Sequence, residues 1–136
     1  MIPLKDDNPT SRKPIVSYGI IFFCIIIFIS QLGLNEIELR EFTYSYGLIP
    51  SVLVGIDQLP DNLNKISPVG TIFTSMFMHG GWMHLIGNML YLWIFADNIE
   101  DDLGTLNFVI FYFTCGVGAA MSQVLVDINS QIPMIG

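Results

Sequence analysis

Charge is scarce in this chain, and basic charge is scarcest: 136 residues hold five Lys and Arg against twelve Asp and Glu, a formal net charge of −7. A surface that neutralises phosphates needs clustered Lys and Arg, so nucleic acid is excluded as a partner. Cysteine is down to two residues, Cys24 and Cys115. Both fall in apolar runs and read as small buried hydrophobes, not as a disulfide framework or reactive thiols. Histidine is equally sparse. His79 and His84 are the only two, and five positions put them ~140° apart around a helix. A metal or haem site there requires His79 to sit outside the helix, and no cysteine or carboxylate lies near His84. No metal and no cofactor are expected. A small-x-small cleavage pattern is also missing after the first apolar run, so that run reads as a retained helix and not as a removed signal.

What the chain does contain is apolar sequence, 52% of it, in blocks. Ile15 to Leu34 and Leu106 to Val126 carry no charged residue, each about 20 residues, the length that crosses ~30 Å of hydrocarbon as a helix. The run Trp82 to Phe95 is shorter, but with its flanks it makes a third span. The reading is a multi-pass membrane protein with a tail over 1–14, helices over 15–34, 79–99 and 104–126, an outer loop over 35–78 and an outer tail over 127–136. Lys5, Arg12 and Lys13 precede the first helix, and the positive-inside rule then sets the N-terminus in the cytoplasm.

The long connection is too apolar for a solvated linker, with Phe42, Tyr44, Tyr46, Leu48, Ile49 and Val52 to Val54. Either a membrane-interface substructure or a loop packed on its own helices accounts for it. A short helix over 71–78 leads into His79, and Gly80-Gly81 then permits the chain to re-enter the bilayer. The last helix carries Cys115, Gly116, Gly118, Ala119, Ala120 and Ser122, small residues that let a neighbouring helix approach closely. That neighbour is the second helix or one outside these 136 residues.

From Trp82 to Ile94 the only strongly polar side chains are His84 and Asn88. Four residues apart, they lie ~40° apart around a helix and project side by side. Three readings compete for them. They are interhelical hydrogen-bonding glue, or a metal site with His79, or two donors converging on an oxygen that becomes negative during acyl transfer.

The segment SMFMHGGWMHLIGNMLYLWIFADNIEDDLG resembles the second-helix signature of the rhomboid intramembrane serine proteases. The similarity runs on through the third helix to the closing PMIG, covering about Tyr46 to Gly136. The resemblance implies an all-α membrane protein whose three transmembrane helices form the N-terminal half of a rhomboid-like six-helix fold. It implies serine endopeptidase action on membrane-helix substrates. His84 and Asn88 would stabilise the oxyanion, His79 would belong to the same outer cluster, Glu100 would tie helix ends together, and Gly104 completes the signature. The other acids, Asp97, Asp101 and Asp102, read as a solvated turn.

That family carries its nucleophile in a G-x-S-G motif at the head of the fourth helix and its general base on the sixth. Pro133-Met134-Ile135-Gly136 resembles the lead-in to that motif, with Gly136 in the place of the first glycine. Ser122 and Ser130 lie outside any such motif, and no histidine follows His84. Arg40 has no tryptophan beside it, unlike the first-loop W-R element of many relatives. The expectation is a chain that carries the oxyanion half of the site without the nucleophile and is inactive alone, whether fragment or short product. The alternative is a truncated or pseudoprotease-like module that binds helices or a partner half. The implied partners are the bilayer, transmembrane substrates and a C-terminal half, and the expected location is the plasma (inner) membrane of a prokaryote.

Overall fold

A computed structural model describes residues 13–136. The tail expected over 1–14 therefore lies, for residues 1–12, outside the described residues. Within those described the chain is all-helical, with no strand. The first apolar run forms α1, Ile15–Leu32, and the last forms α7, Thr105–Val126; these two helices are long and apolar enough to cross a membrane.

The single helix expected over 79–99 takes a different form. Gly81 is extended, and α5 begins only at Trp82 and runs to Tyr91. A π-helical segment, Leu92–Ala96, follows, and α6, Asp97–Leu103, continues it. The result is a rod from Trp82 to Leu103 whose α-helical regularity is interrupted at mid-length, as π turns do. His79 precedes this rod. Gly104, at φ 77°, then turns the chain into α7, a backbone conformation that L side chains rarely adopt.

The connection between α1 and the rod is structured. Asn35 opens α2, Glu36–Tyr46, with a capping box: its Oδ1 accepts from the Ile37 and Glu38 amides, and Glu38 Oε2 accepts from the Asn35 amide at 3.0 Å. Such reciprocal caps satisfy amide groups that the first helical turn leaves free. A short α3, Pro50–Leu53, and then α4, Pro68–Ser75, follow. The helix before His79 thus starts and ends three residues earlier than its apolar residues suggest, because Pro68 suits a first helical position and Ser67 caps it.

Two apolar clusters hold these pieces. Cys24 and Phe28 of α1 pack on Leu85 of α5, joined by Phe77 and Met89, and Phe28 meets Trp82 edge-on at 4.9 Å between ring centroids. Leu48 and Ile72 pack on Ala120 and Val124 of α7, joined by Met76 and Met134. The small residues of α7 therefore receive α4, where Met76 reaches over Gly116, and not the rod. Cys115, expected to be buried, is exposed, whereas Cys24 is buried.

The tightest long-range tie is polar. Pro14 gives α1 no side-chain cap. The buried Glu100 carboxylate supplies one from the far end of the rod: Oε1 accepts from the Val16 amide at 3.0 Å, and Oε2 accepts from the Ser17 amide at 2.8 Å and the Ser17 hydroxyl at 2.7 Å. A negative group at a helix N-terminus satisfies free amides and meets the positive end of the helix dipole. Hydrogen bonds to a charged group are worth about 1.5 to 3 kcal/mol each. Glu100→Ala should therefore lower stability by about 3 kcal/mol in denaturant titrations of the detergent-solubilised chain, with Glu100→Gln losing less; a loss in Glu100→Ala below about 0.5 kcal/mol would contradict the cap.

Candidate functional site

Because α5 starts at Trp82, His79 is free to turn back against the helix it precedes. Its ring meets the His84 ring edge-on, with centroids 5.2 Å apart, and its Nε2 lies 3.2 Å from Asn88 Nδ2. The three polar residues thus form one cluster at the start of α5. His79 is 2% exposed, Asn88 is half-buried and His84 is exposed.

Burial, followed by the nearby His84 ring, holds the pKa of His79 below the usual 6.5, while the Phe77 backbone acts weakly the other way. A histidine with a lowered pKa is neutral at pH 7 and protonates only as pH falls through that lower value. Its Nδ1 is buried with no hydrogen-bond partner.

The chain end arrives at the same place. The segment before it is held by backbone hydrogen bonds: Ser51 N donates to Ser130 O at 3.1 Å, and Leu48 and Met134 exchange an antiparallel pair at 3.0 and 2.8 Å. Gly136 then donates its amide to the Ser75 carbonyl at 2.8 Å. At φ 85° it sits against the His84 ring so closely that a Cβ would collide with it and would lie 3.1 Å from the Met78 carbonyl oxygen. Gly136 is therefore beside His84.

Between the rod and α7 lies a cleft of about 1100 Å³ whose walls include His79, Asn88, Tyr112, Cys115, Gln123 and Gly136. Among the described residues no group of three His, Cys, Asp or Glu side chains is arranged to hold a metal ion. What the arrangement offers chemically is hydrogen-bond donation from an imidazole and an amide, in a cleft lined mostly by apolar groups, where such donors act more strongly than in water. Glu100 and Gly104 are at the other end of the rod and belong to the helix ties described above. Sequence reading missed the Ser75 carbonyl, which has no side-chain signal, and Ser17, whose signal was a lone hydroxyl in the first turn of an apolar helix.

A family model described as the Rhomboid domain matches residues 68–136. One relative is the Rhomboid-like protein 11, chloroplastic, of Arabidopsis thaliana, 36% identical over 53 residues; the match spans 39% of this chain and 19% of that relative. The chain therefore covers about a fifth of the length of the curated relative it matches. No solved structure matches the chain.

The crowding at Gly136 generates a direct test. A side chain there meets both left-handed strain, about 1 to 2 kcal/mol, and the His84 ring. Gly136→Ala should speed amide hydrogen exchange at Gly136 and Met134 by about tenfold or more, with α1 unchanged. Unaltered exchange at both amides would mean that the segment is not held as described.

Proposed function

Because the chain belongs to the rhomboid family, we propose that it contributes the oxyanion-binding half of an intramembrane serine endopeptidase whose substrates are transmembrane helices. The observation that carries this reading is the meeting of His79, His84, Asn88 and Gly136 at one point. In acyl transfer a serine attacks a carbonyl whose oxygen becomes negative. Preorganised donors aimed at that oxygen lower the barrier because they need not reorganise as charge develops. His84 and Asn88 are suited to this role, both lying near the turn that precedes the expected nucleophile. The Ser–His pair is not among these 136 residues, since they contain no G-x-S-G and no histidine after His84. A dyad needs both partners in hydrogen-bond reach.

The proposal includes a third membrane span in the rod that starts at Trp82, which at ~1.5 Å per residue is long enough to cross the hydrocarbon core with its acidic end from Asp97 at the inner surface. With basic residues before α1 inside, the order is N-terminus inside, the connection 35–78 outside, the acidic turn at 97–105 inside and Gly136 outside. The location is an integral membrane. The chloroplast named for the relative gives no support to the expected prokaryotic plasma membrane.

A second reading, a module that binds helices or a partner half without cleaving them, draws on the cleft of about 1100 Å³ between the rod and α7. Supplying the missing serine and histidine on a second polypeptide separates the two: cleavage and fluorophosphonate labelling appear under the protease reading and stay absent under the module reading. These 136 residues alone should take up no label.

Two further outcomes follow. In the active protease, His84→Ala and Asn88→Ala should each lower kcat at least tenfold, toward the ~10² to 10³ lost with an oxyanion donor, without a matching fall in thermal stability. Earlier melting at normal kcat would make both residues interhelical glue. In a cysteine-free background, single cysteines at Asp61 and Asp101 should react with an impermeant reagent from opposite sides of the membrane. Reaction from one side would remove the middle span.

A further inference from the structure

The contact between His79 and Asn88 carries a consequence for how the amide is aimed. An asparagine side chain presents either its oxygen or its nitrogen to a neighbour, and the neighbour's own hydrogen-bonding state decides which. Here Asn88 Nδ2 faces His79 Nε2 at 3.2 Å. A nitrogen–nitrogen hydrogen bond requires one lone pair, so Nε2 must accept and the ring proton must sit on Nδ1. Nδ1 is buried and has no partner in hydrogen-bonding geometry.

Resting on the oxyanion reading above, we propose that His79 is a positioning residue: its neutral ring, accepting at Nε2, fixes the Asn88 amide with the donor nitrogen on the side of His84, and protonation of the ring reverses that setting. In the neutral state one Nδ2–H goes to His79, whose ring lies against that of His84, and the second is left to donate elsewhere. Protonation adds a proton at Nε2 and removes the lone pair. The cation can then be satisfied only by Asn88 Oδ1, so the amide turns over and an acceptor replaces the donor. An oxyanion would then meet an oxygen lone pair where it had met an N–H.

The surroundings make this a clean two-state element. The titratable side chains that line the cleft with His79 are Cys24 of α1, Tyr91 of α5 and Tyr112 and Cys115 of α7, and no carboxylate, Lys or Arg side chain lines it. The remaining neighbour is the His84 ring. Among the described residues no acidic side chain of the cleft therefore stabilises a cationic His79, and burial and the second imidazole both oppose its protonation. The switch operates on the acid side of the usual histidine range.

The test is a pH titration of the isotope-labelled chain in detergent micelles, reading the His79 ring nitrogens and the Asn88 side-chain amide by NMR. At pH 8 the His79 Nδ1 signal should be that of a protonated nitrogen and Nε2 that of an unprotonated one. As pH falls, the Asn88 amide signals should shift with the same midpoint as His79, below 6.5. His84→Gln should keep that coupling, and His79→Gln, whose amide oxygen can still accept, should hold the Asn88 signals at their neutral position throughout. A protonated Nε2 at pH 8, or Asn88 signals that do not move while His79 titrates, would overturn the proposal, and the unmodified chain alone is enough to decide it. Normal kcat in His84→Ala and Asn88→Ala would sink the oxyanion reading and leave this titration intact, whereas an uncoupled titration would leave those kcat losses intact.

Discussion

The cap that Glu100 places on the start of α1 is the constraint on which the rest of the structure depends. An apolar helix such as α1 has little in its own sequence to fix its rotation or its height, since most of its surface is alike. Three hydrogen bonds from one buried carboxylate to the Val16 and Ser17 positions fix both at once. A buried carboxylate is costly unless fully paired, and the free amides of a helix start are the partners that cost the chain least to provide. With the Leu103 end of the rod pinned to α1, the packing of Leu85 against Cys24 and Phe28 fixes where its Trp82 end, and hence the histidine cluster, must lie.

At the Trp82 end the geometry comes from backbone more than from side chains. The Leu48–Met134 pair and the Gly136–Ser75 hydrogen bond bring the last residues across α4 to the start of α5. Buried backbone groups of irregular segments have to find partners, and here they find them in one another. α7 meets the rod through α6, next to the Gly104 turn, and otherwise packs on α4 and α1, so the cleft stays open along α5 and His79 and Asn88 line a cavity in place of a helix interface. The membership of the rhomboid family fits a chain in which polar groups are gathered at one edge of an apolar bundle.

Much of this was legible in the sequence, for definite reasons. The runs at α1 and α7 declare themselves because about 20 residues without charge have few other uses, and His84 and Asn88 stand out because nothing else near them is polar. The four-residue spacing then gives their common direction. What the sequence did not disclose depends on contacts distant along the chain. By residue type Glu100 is one acid among several; the rhomboid resemblance alone marks it as a residue that ties helix ends, and its partner Ser17, 83 positions away, leaves no sign in the sequence. The π segment leaves no mark, since Leu92 to Ala96 is as apolar as its neighbours. His79 was judged by helical angle, which loses its meaning once Gly80 and Gly81 place it outside the helix. The apolar connection 35–78 announced structure without announcing its form: α2 to α4 are set by Asn35, Pro50 and Ser67-Pro68 more than by hydrophobic period.

The central claim is that the imidazole of His84 and the amide of Asn88 are aimed at one oxygen beside Gly136. Its most direct test is the structure of the proposed protease trapped with a phosphonate, whose anionic oxygen stands in for that of the tetrahedral intermediate. The account predicts that this oxygen lies about 2.7 to 3.1 Å from a nitrogen of His84 and from Asn88 Nδ2. An oxygen held by other groups, with neither side chain within hydrogen-bond distance, would contradict it.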